Sequence, residues 1–183
     1  MRFPLIIAGL FFSLCSFSQD LKDPVDVTPE LQTKIKRDIE KDIPKLKQRL
    51  ETKKENPVVI EFILDTFRVE QFMDKWIDLD YRDFGMNEAG YEASRLYDSL
   101  LNKYYKKLLA VLKGDDKKIL IQAQKSWLAF RDTELKLVET ISKDEYSGGG
   151  TMQRLTESSE YLDLIRNRTI SIFSHYTRAT QSD

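Results

Sequence analysis

Cysteine and histidine are almost absent from this chain of 183 residues, which has one of each. The single cysteine, Cys15, lies in an apolar N-terminal segment, so a chain that loses this segment can form no disulfide bond. The single histidine, His175, leaves carboxylates as the only abundant metal ligands, and no calcium-loop spacing is present. Serine–histidine or cysteine–histidine catalysis also has no support. The sequence therefore predicts no metal, no cofactor and no enzymatic activity.

Glycine and proline are also scarce, with seven and five residues respectively, and they are clustered. Long stretches of helix-forming residues are therefore uninterrupted, and apolar residues recur at spacings of three and four instead of alternating. Short connections between the last helices favour antiparallel neighbours. The sequence predicts an all-α protein, an antiparallel helical bundle of three long C-terminal helices plus two N-terminal helices.

An excess of positive charge is missing as well, since 29 lysines and arginines stand against 30 aspartates and glutamates. A nearly neutral surface argues against general nucleic-acid binding, which needs a concentrated basic field. Acidic residues prevail locally, with seven acids against three bases between residues 57 and 85. In this segment Asp74, Asp78 and Asp80 are candidate contacts for a protein partner.

The N-terminus has the three parts of a secretory signal peptide. Arg2 precedes an apolar run at residues 4–14, and small residues follow before Gln19. The run is too short to span a bilayer as a helix. We therefore predict a signal peptide at residues 1–18, export to the periplasm or the medium, and a flexible leader at residues 19–27. Lipid anchoring at Cys15 is the less favoured alternative, because the preceding residue is a bulky leucine.

Residues 28–85 are predicted to form an N-terminal helical pair. A capping side chain followed by proline marks two helix starts, at Thr28–Pro29 and at Asn56–Pro57. Pro44 interrupts the first helix without shifting its apolar stripe, which predicts a kink. The second helix is the most aromatic part of the chain, and Gly85 is predicted to end it.

Residues 86–177 are predicted to form a three-helix domain. Its first helix runs from about residue 87 to 113, and a turn at Gly114 leads to a second helix that ends at about residue 143. The third helix starts after a cap at Thr151 and continues to about residue 176. The polar residues 178–183 are predicted to fray.

Polar side chains lie beside or within the apolar stripes of these three helices. Buried charged groups are tolerated only when they satisfy one another, so we predict that Asp98 pairs with Arg131 or Arg168 across the bundle. Such a network fixes the register of the helices in most proteins, and the other interpretation is a recognition surface. The predicted network comprises Asp98, Asn102, Tyr105, Gln124, Trp127, Arg131, Asp132 and Arg168.

Three consecutive glycines, Gly148, Gly149 and Gly150, form the longest irregular segment between the predicted C-terminal helices. Their backbone N–H groups could present an anion site at the following helix start. The segment lacks the lysine and the preceding strand of a phosphate loop. A flexible turn is therefore predicted, and the loop is a second candidate for partner contact.

Five short elements occur in order between residues 86 and 176. They are Met86-Asn87, Asp98-x-x-Leu101-Asn102-x-x-Tyr105, Gln124-x-x-Trp127-x-x-x-Arg131-Asp132, Gly148-Gly149 and Arg168-Thr169. Their order and approximate spacing resemble the LprI-type lysozyme-inhibitor N-terminal domain family of small exported helical proteins. The resemblance does not cover residues 19–85. Family members usually carry cysteines where this chain has Ala89, Leu135 and approximately Glu160, so the resemblance implies a bundle without the family's disulfides.

The resemblance implies an exported domain that binds a protein, with lysozyme inhibition as the named activity. Animal-type lysozymes are strongly basic, so the acidic segment at residues 57–85 would steer the encounter. The alternative is a structural or adaptor module of the cell envelope without inhibitory activity. That module would dock its partner through the N-terminal helix and the aromatic second helix.

Overall fold

The computed structural model describes residues 23–180, and the predicted signal peptide, residues 19–22 of the leader and residues 181–183 of the tail lie outside this range. The described residues form helices only, without a strand, so the all-α prediction is confirmed. No helix in residues 23–180 is long and apolar enough to cross a membrane. The helices are α1 Pro29–Thr52, α2 Pro57–Leu79, α3 Asp83–Val111, α4 Gly114–Ile141, α5 Asp144–Ser147 and α6 Thr151–Thr180.

The two predicted N-terminal helix starts are present with their caps. Thr28 accepts a hydrogen bond at its Oγ1 from the backbone N–H of Leu31 at 3.4 Å, and Asn56 Oδ1 accepts one from Val58 at 2.8 Å. Proline at the first helical position costs nothing there, because its missing N–H would have no partner in the helix. Pro44 lies inside α1, which is one continuous helix.

The corner between α2 and α3 differs from the prediction, because Gly85 does not end α2. Asp80 ends that helix, and Gly85 is buried in the first turn of α3. A Cβ atom at position 85 would lie 2.2 Å from Cγ and 2.5 Å from the carbonyl oxygen of Asp80. Glycine is required at this position because the two helix ends approach closely there. Helix α3 begins about four residues earlier than its apolar pattern indicated.

Helices α3 and α6 form the centre of the fold and run parallel to each other. A Cβ atom on Gly90 would lie 3.3 Å from Oγ of Ser158, and further along both helices Thr169 Oγ1 donates to the carbonyl oxygen of Tyr97 at 3.2 Å. Small side chains therefore let the two helices approach closely. Helices that follow one another in the chain are antiparallel, as predicted, and the parallel pair arises because α4 separates α3 from α6 in sequence.

The N-terminal helices share the core with the C-terminal ones. Ile35 and Ile39 of α1 form one buried cluster with Phe72 and Trp76 of α2 and with Ala89 of α3. The resemblance placed a missing cysteine at Ala89, and the structure packs this side chain tightly among apolar neighbours. The two predicted parts of the chain are therefore joined by a common interior.

The observed ends of the C-terminal helices differ from the predicted ones. Helix α4 stops at Ile141, and a short helix, α5, that the sequence did not indicate follows it. Helix α6 continues to Thr180, beyond the predicted beginning of the frayed tail at residue 178. Thr151 is the first residue of α6 and not its cap, since α6 begins directly after the glycines.

Candidate functional site

Trp127, in the middle of α4, lies within cation–π distance of two guanidinium groups. The Cζ atoms of Arg131 and Arg168 each lie 5.6 Å from the centroid of its ring. Arg168 belongs to α6 and donates from Nε to Oε1 of Gln124 at 3.0 Å. Burial lowers the pKa of Arg168, and the ring and the amide oxygen are the groups that stabilise this covered cation. The structure therefore brings four residues of the predicted network together, and this contact, the Trp127 joint, fastens α4 to α6.

Asp98 does not form the predicted ion pair. Its carboxylate accepts a hydrogen bond from Nδ2 of Asn102 at 3.1 Å, one turn later in α3. Arg131 donates from Nε to the carboxylate of the adjacent Asp132 at 2.9 Å. Within residues 23–180 neither Arg131 nor Arg168 therefore depends on Asp98, because the ring of Trp127 and local acceptors already serve them. Tyr105 packs, partly buried, against the apolar core.

The carboxylates of α2 are mostly neutralised inside the protein. Glu61 pairs with Lys103 at 2.8 Å and also with Lys107, and Asp65 accepts from the Tyr104 hydroxyl at 2.7 Å. Burial acts to raise the pKa of Glu61, but the hydrogen bonds from the two lysines outweigh it and the pKa is lowered. The acidic charge that the sequence predicts as a partner surface is thus largely neutralised by residues of α3.

Asp80 is not available as a partner contact either. It is only 2% exposed, and its Oδ1 accepts from Nε of Arg82 at 2.6 Å. The hydrogen bonds from Arg82 hold the pKa of Asp80 below its ordinary value, although burial opposes them. Of the three aspartates predicted as contacts, Asp74 and Asp78 remain exposed, one turn apart on α2.

A polar joint that the sequence did not reveal connects α2, α3 and α6. Glu70 accepts a hydrogen bond from the Tyr97 hydroxyl and another from Nη2 of Arg166 at 3.0 Å. The Arg166 guanidinium also lies over the Tyr97 ring, at 5.4 Å from its centroid. Burial, followed by the Glu70 carboxylate, raises the pKa of Tyr97. These three residues lie on different helices, far apart in the chain, so the periodicity of a single helix could not have paired them.

A cleft of about 350 Å³ opens where α4 crosses α3 and α6. Three carboxylates line it, from Asp132, Glu139 and Glu157, while its only cation, Arg131, is already bound to Asp132. Burial and then the charges of Glu157 and Glu88 raise the pKa of Tyr91 at the edge of this acidic space. The complete lining is Tyr91, Arg131, Asp132, Leu135, Val138, Glu139, Glu157 and Tyr161.

The glycine triplet is a turn, as predicted. Gly148, Gly149 and Gly150 have φ angles of 76°, 65° and 94°, in the left-handed region that favours glycine. A Cβ atom at position 149 would overlap Oδ1 of Asp144, at 1.8 Å. The loop is partly exposed and leads into α6, six residues before Glu157 of the acidic cleft. No group of three or more histidines, aspartates or glutamates in residues 23–180 is arranged to hold a metal ion.

Comparison with known protein families gives a match. The model of the family described as lysozyme inhibitor LprI matches residues 80–171, which is half of the chain. The matched segment begins at Asp80 and includes all of α3, α4 and α5, most of α6, the Trp127 joint and the acidic cleft. No curated protein and no solved structure matches. The chain belongs to the LprI family of lysozyme inhibitors.

Proposed function

We propose that this protein is exported and inhibits a lysozyme by binding it at the acidic cleft of α3, α4 and α6. The observation that carries the proposal is the family match over residues 80–171, because it covers every residue that lines the cleft. The resemblance to exported proteins and the apolar N-terminal segment support an extracytoplasmic place for this activity.

The charge of the cleft supports its role as the binding surface. Glu139 and Glu157 form no ion pair within residues 23–180, so their charge is available to a cationic partner. Tyr91 and Tyr161 supply aromatic walls, and tyrosine is enriched at protein interfaces. Lysozymes of the animal type are strongly basic, so an acidic cleft favours both encounter and docking.

The acidic charge of α2, which the sequence favoured as the binding surface, gives less support to the proposed contact with lysozyme. Most of it is paired with lysines of α3 and with Arg166 of α6, and only Asp74 and Asp78 remain as an exposed pair on that helix. An adaptor role through α2 also lacks support, because Phe72 and Trp76 pack in the core and are not presented to a partner.

A lysozyme activity assay with the purified exported protein tests the proposal. We expect inhibition at micromolar inhibitor, weakening as salt is added because the contact is electrostatic. The double variant Glu139→Gln/Glu157→Gln should weaken inhibition at least about tenfold, which corresponds to about 1.4 kcal/mol. The matched control Asp74→Asn/Asp78→Asn removes the same charge from α2 and should leave inhibition within about twofold.

Two outcomes contradict parts of this proposal. Full lysozyme activity in the presence of a micromolar excess of the protein would disprove inhibition. Inhibition that is lost in the α2 control but kept in the cleft variant would move the binding surface to Asp74 and Asp78, and would leave the inhibitory function in place.

A further inference from the structure

Helix α1 lies outside the segment that matches the LprI family, and it carries an open groove of its own. The groove has a volume of about 600 Å³ and follows the C-terminal half of α1, with Phe67 of α2 also in its lining. Three cations, Lys45, Arg49 and Lys53, line it. Their spacing of four residues places them on one face of the helix. We call this feature the basic groove.

The three cations of the basic groove are available to a ligand. All of them are exposed, and none forms an ion pair within residues 23–180. Asp42 is the only acid in the lining, so the lining has a formal net charge of +2. Lys41 and Lys47 of the same helix differ in this respect, because they pair with Asp38 and Glu51. The groove therefore keeps a positive charge that an anion can use.

Apolar side chains lie between and beside these cations. Leu46 is 8% exposed and packs with Ile60 and Leu64 of α2, and Phe67 lies, partly buried, against the same cluster. A site with a few charged groups around an apolar floor fits a ligand that has both kinds of surface. The basic groove therefore matches an amphipathic anion, in which a phosphate group is joined to hydrocarbon.

The charge of the whole molecule favours the same kind of ligand. The half of the bundle in which α1 ends comprises residues 41–68, 98–128 and 167–180, with 16 lysines and arginines against 8 aspartates and glutamates. The other described residues carry 11 bases against 20 acids. A nearly neutral chain therefore folds into a basic half with a formal net charge of +8 and an acidic half with −9.

Contacts between helices bring the three segments of the basic half together. Lys107, near the end of α3, pairs with Glu61 near the start of α2. Leu120, near the start of α4, belongs to one buried cluster with Ile172 of α6. The acidic cleft is lined entirely by residues of the acidic half. A surface that covers the basic groove therefore leaves the acidic cleft open.

An anionic membrane fits the basic half better than a nucleic acid does. Single-stranded nucleic acids stack on exposed aromatic side chains, and the exposed aromatic residues within 23–180 all belong to the acidic half. They are Tyr81, Phe84, Tyr91, Phe130 and Tyr146. Clusters of lysine and arginine on an amphipathic helix are instead typical of proteins that bind anionic lipids. An exported protein meets membrane surfaces, so this choice of partner rests on the proposed export.

We propose that the basic groove of α1 docks the protein on a membrane surface that contains anionic phospholipid. Lys45, Arg49 and Lys53 bind the lipid phosphates, while Leu46 and Phe67 contact the adjoining apolar part of the lipid. The helices that precede the family segment then hold the protein at the membrane, and the acidic cleft at the other end remains free to bind its partner.

Co-sedimentation of the purified exported protein with lipid vesicles tests the proposal. We expect binding to vesicles of equal parts phosphatidylglycerol and phosphatidylcholine, none to phosphatidylcholine alone, and release as salt is added. The variant Lys45→Gln/Arg49→Gln/Lys53→Gln should weaken binding at least about tenfold, with an unchanged circular dichroism spectrum. The matched control Lys34→Gln/Lys136→Gln/Arg154→Gln removes the same charge from exposed positions of the acidic half and should stay within about twofold of wild type.

A polarity-sensitive dye tests which surface meets the membrane, in a chain with Cys15→Ser so that the introduced cysteine is the only thiol. The dye on Gln48→Cys, in the groove, should change its emission when vesicles are added. The dye on Leu137→Cys, which is 52% exposed in the acidic half, should not. A change at Leu137→Cys alone would place the contact in the acidic half and overturn the proposal.

Three further results would overturn membrane docking through the groove. They are equal binding to both kinds of vesicle, equal losses in the groove variant and its control, and tighter binding to double-stranded DNA than to the anionic vesicles at the same salt concentration. Vesicle binding is measured without lysozyme. Its absence would therefore leave the inhibitory function in place, and a lack of inhibition would leave the membrane contact in place.

Discussion

Helices α3 and α4 have nearly the same length, 29 and 28 residues, yet they are buried very differently. Helix α3 buries nine residues and packs on α2 and α6, whereas α4 buries only Leu120. The apolar residues of α3 converge on one broad face, and those of α4 are divided between two sides. A divided pattern cannot be covered by a single neighbour, so α4 keeps one apolar side exposed.

The difference concerns function as well as stability. The central helices hold the fold through side chains such as Tyr104 and Ile172, which are inaccessible to solvent. Helix α4 contributes few such contacts, but it forms one wall of the acidic cleft and leaves large apolar side chains exposed, namely Ile119, Phe130, Leu137 and Ile141. Among the five long helices, the one with the smallest share in the core therefore offers the most surface for recognition.

The largest contrast is expected from the same substitution in the two regions. Phe72→Ala, in the core formed by α1, α2 and α3, should lower the free energy of unfolding by about 3–5 kcal/mol, because it leaves a cavity. Phe130→Ala on α4 should change it by no more than about 0.5 kcal/mol. Urea denaturation measures both. Equal losses would show that α4 is as deeply packed as the core.

A smaller contrast is expected between a buried and an exposed carboxylate. Asp80→Asn should cost about 2–3 kcal/mol at pH 7, because charge-assisted hydrogen bonds to Arg82 are lost. The control Asp132→Asn on α4 should cost less than about 0.5 kcal/mol.

The pH dependence of the Asp80 effect has a defined sign. Since Arg82 lowers the pKa of Asp80 in the folded protein, its contribution to stability is fully present above the unfolded pKa of about 3.9. That contribution is lost as the pH falls through the lower, folded value. The difference between wild type and Asp80→Asn in denaturation experiments should therefore shrink below about pH 4. A difference that does not change with pH would contradict the ion pair.

The Trp127 joint should stabilise α4 against local unfolding and leave α3 unaffected. Arg168→Met keeps the aliphatic stem but removes the cation over the ring and the bond to Gln124, for a local loss of about 1 kcal/mol. Hydrogen exchange should accelerate in α4 and remain unchanged in α3. Arg154→Met, an exposed change on the same helix α6, serves as the control. Equal acceleration in both helices would show that α4 unfolds together with the core.

The smallest effect is expected at Asp98. Because this carboxylate bonds only within α3, Asp98→Ala should cost no more than about 0.5 kcal/mol. A loss of about 3–5 kcal/mol in thermal denaturation would mean that a buried pair with an arginine exists after all.

Local patterns predicted the helices well because they depend on residues near in sequence. Thr28 and Asn56 cap helices where the sequence placed them, since a cap bonds to a backbone N–H two or three residues away. The pairing of Trp127 with Arg168 was predicted only as membership of one network. Spacing fixes the side of a helix on which a residue lies, but not the residue that it meets on another helix.

The sequence by itself determined an all-helical chain, its two N-terminal helix starts, the family to which it belongs, and the glycine turn. The tertiary structure decided that carboxylates of α2 form ion pairs with lysines of α3, that Gly85 lies against Asp80, and that acidic side chains without an ion-pair partner line a cleft beside α4. The reason is range. Helix formation and capping act over about four residues, whereas burial and ion pairing depend on how helices from distant parts of the chain are placed against one another.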